Sequence, residues 1–125
     1  MKIIPTIFAT NKKDFSKRLN KLLPISKNIQ IDFMDGKFVK SKSIPISQTP
    51  NLKKYKNNFE AHLMVNSPEK YLKKLKEKGF KKIIFHYEST KSTEKIIKKI
   101  KSLKLEAWPA INPETKVSKI TSYLS

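Results

Sequence analysis

Acidic and imidazole side chains recur near the ends of segments that alternate apolar and polar residues. Asp32 lies in such a segment, residues 29–34, and an Asp-Gly pair follows it directly. His62 and His86 lie in two later segments of the same kind. Two-residue alternation predicts β-strands, and Asp-Gly predicts a turn. A side chain near the carboxyl end of a strand is held rigidly beside a solvent-accessible mouth, so we expect a functional site there.

The elements that carry these residues alternate regularly along the chain. We predict strands at residues 3–9, 29–34, 59–65, 82–88 and 105–112. Helices are predicted at residues 12–23, at residues 67–79, from Ser92 or Thr93 to Leu103, and from Pro113 toward Tyr123, with a Ser- and Pro-rich loop at 37–50 and a short helix at 51–57. Strands separated by helices indicate repeated βα units and a parallel sheet. The predicted fold class is therefore α/β.

The two faces of each predicted strand differ in polarity. Asp32 shares one face with Gln30 and Met34, and His62 shares the equivalent face with Met64, while the opposite faces are apolar. One apolar and one mixed face suit a barrel, in which helices cover the outside and the lumen opens at a functional mouth. Carboxylates and imidazoles are costly to bury there unless they serve a site. Structural roles stay open: a carboxylate that accepts backbone hydrogen bonds, a satisfied core histidine, and methionines that fill the lumen.

Length and composition narrow the class of protein. The chain of 125 residues is predicted to form one domain, residues 1–125. It contains no cysteine, which excludes disulfides and thiolate metal sites and is compatible with the cytoplasm, where we expect the protein. No apolar stretch is long enough to cross a bilayer, so no membrane partner is predicted.

The formal net charge of +18 suggests nucleic-acid binding. Yet Arg18 is the only arginine among 28 basic residues, and recognition of bases and phosphates favours the arginine fork. The lysines are spread over the predicted helices, as on solvated helix faces. We therefore favour a solvated surface and keep a lysine-rich nucleic-acid-binding protein as an alternative.

Several short motifs resemble one known family in order and spacing. Residues 32–39, Asp-Phe-Met-Asp-Gly-Lys-Phe-Val, resemble the signature of ribulose-phosphate 3-epimerases, which are (β/α)8 barrels. Residues 61–65, Ala-His-Leu-Met-Val, followed by Pro-Glu at 68–69, are similar to that family's second signature. Shorter similarities fall at residues 5–7, 85–88 and 110–113. The resemblance implies the N-terminal portion of a TIM (β/α)8-type barrel, a partial barrel of about five βα units where a complete one needs about 250 residues.

The resemblance also implies a reaction: metal-assisted proton abstraction at C3 of a ketose phosphate, which converts ribulose 5-phosphate to xylulose 5-phosphate through an ene-diolate. Asp32 would be the base and a metal ligand, and His62 a metal ligand that also contacts the substrate. Thr6 lies where a family serine contacts the substrate, and Met34 and Met64 would form an apolar floor under the ene-diolate. Base and cation must lie together, because a carboxylate removes such a proton only when positive charge stabilises the oxyanion.

Gln30 departs from the family pattern, since it stands where the family carries a metal-binding histidine. A neutral amide oxygen is a weaker and harder ligand than imidazole, so the divalent ion, whether zinc, iron, manganese or cobalt, stays open. The family's second catalytic aspartate and its phosphate-binding turns belong to the C-terminal part of the barrel. We therefore expect a complementary C-terminal half or a homo-oligomer to be needed, and no measurable epimerase turnover by this chain alone. A noncatalytic partial barrel that acts as an interaction protein is the other alternative.

Overall fold

Five parallel strands form a single sheet in the computed structural model of the chain, which describes residues 3–124. The strands follow one another in space in chain order, which is the arrangement of a TIM-type barrel. This confirms the predicted α/β class and partial barrel. The strands are β1 (Thr6–Ile7), β2 (Asn28–Met34), β3 (Asn58–Met64), β4 (Lys82–His86) and β5 (Glu106–Ala110), and the helices are α1 (Lys12–Leu22), α2 (Leu72–Lys78) and α3 (Thr93–Ser102).

One apolar core lies between the sheet and its helices. The sheet contributes fully buried side chains such as Ile31, Leu63 and Phe85. The helices contribute Phe15 and Leu19 from α1, Leu72 and Leu75 from α2, and Ile96 and Ile100 from α3. Each such side chain stabilises the fold by about 1.5–3 kcal/mol through removal from water. Within residues 3–124, no helix is long and apolar enough to span a membrane.

The prediction of one domain over residues 1–125 stays a prediction. Its residues 1, 2 and 125 lie outside the described part of the chain.

Local signals set two of the helix boundaries. Asn11 caps α1, because its Oδ1 accepts the backbone N–H of Asp14 at 2.8 Å. Gly79 ends α2 with a φ of +103°, a left-handed conformation that residues with a side chain rarely adopt. Asn11 thus marks where the chain leaves β1 for α1, and Gly79 marks where it leaves α2 for β4.

Several predicted boundaries are wrong. Strand β1 holds two residues instead of residues 3–9, and β4 ends at His86, after which Tyr87–Ser89 forms a 3-10 turn. Helix α2 begins at Leu72, because Ser67 has a φ of 53° and makes no capping hydrogen bond. The predicted short helix at residues 51–57 is reduced to the 3-10 turn Leu52–Lys54.

The helix predicted from Pro113 toward Tyr123 does not form. Two single 3-10 turns replace it, at Val117–Lys119 and Thr121–Tyr123. Val117 is 59% exposed, while Ile120 is buried. One buried residue does not make the apolar face that a helix needs in order to pack, and short helices gain most of their stability from such packing.

A row of charged side chains crosses the mixed face of the sheet near the amino ends of the strands. Glu60, Lys82 and Glu106 are neighbours in register across β3, β4 and β5. Lys82 Nζ lies 3.4 Å from Glu60 Oε2 and 4.6 Å from the ring centroid of Trp108. The Trp108 indole N–H in turn donates to Glu106 at 2.8 Å. Charges on this face are therefore paired below the row that holds Asp32 and His62.

Candidate active site

The parallel register of β2 and β3 places the predicted site residues side by side. Asp32 pairs with His62, and Met34 pairs with Met64 two residues further along. Both pairs lie near the carboxyl ends of their strands and on the mixed face of the sheet. The side chains of Asp32 and His62 are 16% and 21% exposed, so solvent and small molecules can reach them.

Gln30 completes a three-residue cluster with this pair. Its Nε2 lies 3.1 Å from Asp32 Oδ1 and 3.4 Å from His62 Nδ1, and the latter two atoms are 3.2 Å apart. A carboxylate oxygen only accepts hydrogen bonds, so the amide must turn its nitrogen toward Asp32. The Gln30 NH₂ group is therefore one corner of a triangle whose other two corners are Asp32 Oδ1 and His62 Nδ1.

Asp32, His62 and Gln30 can act as ligands of a divalent cation if the Gln30 amide turns its oxygen toward the other two side chains. Among the described residues, no group of three or more His, Asp or Glu side chains is placed to hold a metal ion. Asp32 Oδ1 and His62 Nδ1 lie 3.2 Å apart, and rotation of the Gln30 amide by half a turn presents its oxygen in place of its nitrogen, so that the three donor atoms can face one cation between them. Two oxygens and one imidazole nitrogen form a set that suits a first-row divalent metal.

His86 extends the cluster on the other side of His62. The two Nε2 atoms are 2.8 Å apart, which is closer than stacked rings approach, so the rings meet edge to edge. His86 is buried, and its Nδ1 has no hydrogen-bond partner among the described residues. Burial and the nearby His62 lower the pKa of the His86 imidazole, against a smaller raising effect of the Glu88 carboxylate.

Glu88 stands behind His86 and ties two strand ends together. Its Oε1 lies 3.7 Å from His86 Nδ1, and both of its carboxylate oxygens accept the backbone N–H of Asn112 at 3.1 Å. Burial alone raises the pKa of the Glu88 carboxyl, but hydrogen bonds from the Thr115 side chain and the Asn112 backbone outweigh it and lower that pKa. Glu88 is thereby kept charged beside the buried imidazole.

Sequence reasoning weighed His86 without selecting it and did not select Glu88. The signal for His86 was register: His62 pairs with Ile84, which makes His86 its diagonal neighbour on the same face. A signal for Glu88 was also present, since the predicted strand at residues 82–88 put it on the face of His86 and the similarity at residues 85–88 includes it, although Glu88 lies beyond the end of β4.

Thr6 and Asp35 flank the cluster. Thr6 pairs with Gln30 at the edge of the sheet and is exposed. Asp35 was predicted to be a turn residue, and its Oδ1 accepts the N–H groups of Lys37 and Phe38 at 2.8 Å. Its Oδ2 accepts the N–H of Asn66 at 2.8 Å, which joins the ends of β2 and β3. These hydrogen bonds outweigh the effect of burial and lower the Asp35 pKa.

The family model that matches this chain and the relatives that resemble it belong to one and the same family. The model of the ribulose-phosphate 3-epimerase family matches residues 2–125. The chain is 30% identical over 128 residues to ribulose-phosphate 3-epimerase of Schizosaccharomyces pombe, an alignment that covers 98% of this chain and 56% of the relative. It is 36% identical over 101 residues to the Eremothecium gossypii protein of that name, covering 71% and 42%. The chain spans about half the length of the curated relatives it matches.

Proposed function

The chain belongs to the ribulose-phosphate 3-epimerase family, and we propose that it supplies the N-terminal portion of an enzyme that epimerises a ketose phosphate at C3. The proposed reaction converts ribulose 5-phosphate to xylulose 5-phosphate through an ene-diolate, in the cytoplasm. The observation that carries the proposal is the pairing of Asp32 with His62 at the carboxyl ends of adjacent strands, where both are partly exposed. This is the edge of a TIM-type barrel at which enzymes hold their reactive groups.

In this proposal Asp32 takes the proton from C3. Its Oδ1 accepts a hydrogen bond from Gln30, which orients the carboxylate, and its second oxygen has no partner among the described side chains and is free to receive a proton. His62 lies on the same side and can contact a substrate oxygen. Met34 and Met64 form an apolar floor next to this pair, which limits the access of water, and Thr6 contacts the substrate from the edge strand.

We further propose that Asp32, His62 and Gln30 hold a divalent cation of the zinc, iron, manganese or cobalt group. A bound cation supplies positive charge to the oxygen on which negative charge develops. Because Gln30 offers a neutral amide oxygen only after its NH₂ group has turned away, we expect weaker binding than three charged or imidazole ligands give.

Inversion at C3 needs a second acid on the opposite face of the substrate, and the described residues around the cluster do not offer one. Glu60 is paired with Lys82, and Glu88 and Asp35 accept backbone N–H groups. We therefore propose that a complementary C-terminal half provides the second acid and the phosphate-binding site. The mixed face of the sheet supports this, since Trp108 on it is 46% exposed. A homo-oligomer would contain a second copy of Asp32 but no acid from another part of the barrel, so we favour a complementary half.

A coupled assay tests the proposal. Ribulose 5-phosphate is offered to this chain alone, to the C-terminal portion of the Schizosaccharomyces pombe relative alone, and to their mixture, each with and without Mn²⁺. We expect turnover in the mixture only, and a loss of about 10²–10⁴-fold when Asp32→Asn replaces the wild-type chain. Robust turnover by this chain alone would contradict the need for a partner. Inactivity of every mixture, despite complex formation, would contradict the epimerase assignment.

A further inference from the structure

A cavity of about 550 Å³ lies on the helix side of the sheet, next to the carboxyl ends of β2 and β3. Phe33 and Val65 line it from the sheet, and Phe33 shares the apolar face with Leu63. Asp32 and His62 point to the opposite face. The sheet therefore lies between this cavity and the side chains of Asp32 and His62, and Met34 at the end of β2 borders both sites. The volume of the cavity falls in the range of small-molecule sites, about 300–1,000 Å³.

The walls of the cavity are held in place by backbone hydrogen bonds. The segment from Lys42 to Ser47 forms one wall, and it is fixed by Ser43 N–H to the Met34 carbonyl and Ile44 N–H to the Ala9 carbonyl, each at 3.0 Å. The facing wall is the turn from Val65 to the start of α2, which Asp35 ties to the end of β2 through the Asn66 N–H. The cavity is thus part of the fold and not a gap between loose loops.

Four lysines line the cavity: Lys37, Lys42, Lys70 and Lys74. None of their ammonium groups takes part in an ion pair or a hydrogen bond within residues 3–124. Asp35 is the one acidic residue of the described lining, and its oxygens are occupied by three backbone N–H groups. Positive charge therefore surrounds this cavity without a matching acid.

The cavity also exposes apolar surface beside its lysines. Tyr71 is half-buried and Pro45 is exposed in its lining, so both offer apolar surface to a ligand, while Phe33, Ile44 and Val65 are at most 3% exposed and close its floor. An inorganic anion would leave this surface without a partner, and an uncharged apolar molecule would leave the lysines unpaired. We propose that the cavity binds a small organic phosphate that carries an aromatic or similarly apolar group. The phosphate pairs with the lysines and the apolar group packs on Tyr71 and Pro45.

The site is independent of the epimerase proposal, and nuclear magnetic resonance of the whole nitrogen-15-labelled chain tests it with phenyl phosphate as the probe. We expect saturable shifts of backbone amides at residues 43–47 and 65–74. Inorganic phosphate and phenol, offered separately, should each bind at least about tenfold more weakly than phenyl phosphate. Inorganic phosphate contacts only the lysines, and phenol contacts only the apolar surface.

Two double variants distinguish binding of phenyl phosphate at this cavity from its nonspecific attraction to a positively charged protein. Lys70→Glu with Lys74→Glu should weaken phenyl phosphate binding by at least about tenfold. Lys13→Glu with Lys17→Glu, which makes the same charge change at the same spacing on exposed positions of α1, should weaken it by less than about twofold.

Three results would overturn the site: equal losses in both double variants, shifts spread over lysines along the whole chain, or no saturable shift at residues 43–47. Shifts centred on Asp32 and His62 instead would place the probe in the candidate active site and would likewise overturn it.

Discussion

His62 Nε2 lies 2.8 Å from His86 Nε2, so one imidazole must donate its N–H to the other. The Gln30 NH₂ group, placed toward Asp32 by the carboxylate, also reaches His62 Nδ1 at 3.4 Å. In the tautomer with its proton on Nε2, His62 donates to His86 Nε2 and keeps Nδ1 as an acceptor. That tautomer turns the Nδ1 lone pair toward Asp32, on the side where both side chains could share a cation, and it is the one that such a cation requires.

The first prediction concerns this tautomer. In the wild-type chain above pH 7, nitrogen-15 shifts of the imidazoles should show His62 protonated at Nε2 and His86 at Nδ1. Gln30→Leu removes the donor to His62 Nδ1, so His62 should shift toward the Nδ1-protonated form and donate to Asp32 at 3.2 Å. An unchanged His62 tautomer in Gln30→Leu would show that Gln30 does not set it.

Cation affinity should depend on residue 30. Gln30→Glu replaces the amide, whose nitrogen faces Asp32, with a carboxylate that can only accept, and we expect Mn²⁺ to bind at least about tenfold more tightly. Titration calorimetry with Mn²⁺ measures the change. Asp32→Asn in the Gln30→Glu background is the control and should reverse the gain. If Gln30→Glu binds Mn²⁺ no better than wild type, the proposed cation position beside Asp32 and His62 is wrong.

The residues of this cluster could be predicted from sequence, but its contacts could not. Alternation along residues 29–34 and 59–65 placed Asp32 and His62 on equivalent faces, and parallel pairing then made them neighbours. The orientation of the Gln30 amide depends on hydrogen bonds across two strands, and the edge contact of His62 with His86 depends on the spacing of β3 and β4. Such distances are set by tertiary packing, which local patterns do not encode.

The helix predicted after Pro113 is wrong for the same reason: its formation depends on tertiary packing, which local patterns do not encode. The segment after Pro113 has a helix start signal, yet Val117 is exposed and no surface stabilises a helix there. The lysine-rimmed cavity was likewise not predicted. Ser43 and Ile44 line it together with the start of α2, about thirty residues away in sequence, and the periodicity of a single sequence cannot show that such segments meet.

The stability of the fold should fall as pH drops below the usual histidine range. Burial lowers the pKa of His86 below its ordinary value of 6.5, so the unfolded chain takes up a proton before the folded chain does. The contribution of neutral His86 is complete above pH 6.5 and is lost as pH falls toward the lowered pKa of the folded state. Urea unfolding between pH 8 and 5 measures it, and His86→Gln should flatten the dependence. An equally steep dependence in that variant would assign it to another group.

Two glycines with positive φ should respond differently to alanine. At Gly79, with φ +103°, an added Cβ would lie 2.9 Å from the backbone nitrogen of Lys53, so the chain must shift. At Gly36, with φ +75°, the nearest atom would be Lys42 Cβ at 3.6 Å, which leaves only the conformational strain. We expect Gly36→Ala to cost about 1 kcal/mol of unfolding free energy and Gly79→Ala about 2–4 kcal/mol. Equal losses in urea unfolding would show that the contact with Lys53 relaxes freely.

Trp108 should report closure of the barrel, because it is the single tryptophan of the chain and lies 46% exposed on the mixed face of the sheet. Its fluorescence in the isolated chain should have the long emission wavelength of a hydrated indole. The C-terminal portion of the Schizosaccharomyces pombe relative should cover this face and shift the emission to shorter wavelength. Trp108→Phe is the control, since any remaining signal then belongs to the added partner. If the same shift develops when the chain alone is concentrated, a second copy covers Trp108, and the proposal of a distinct complementary half fails.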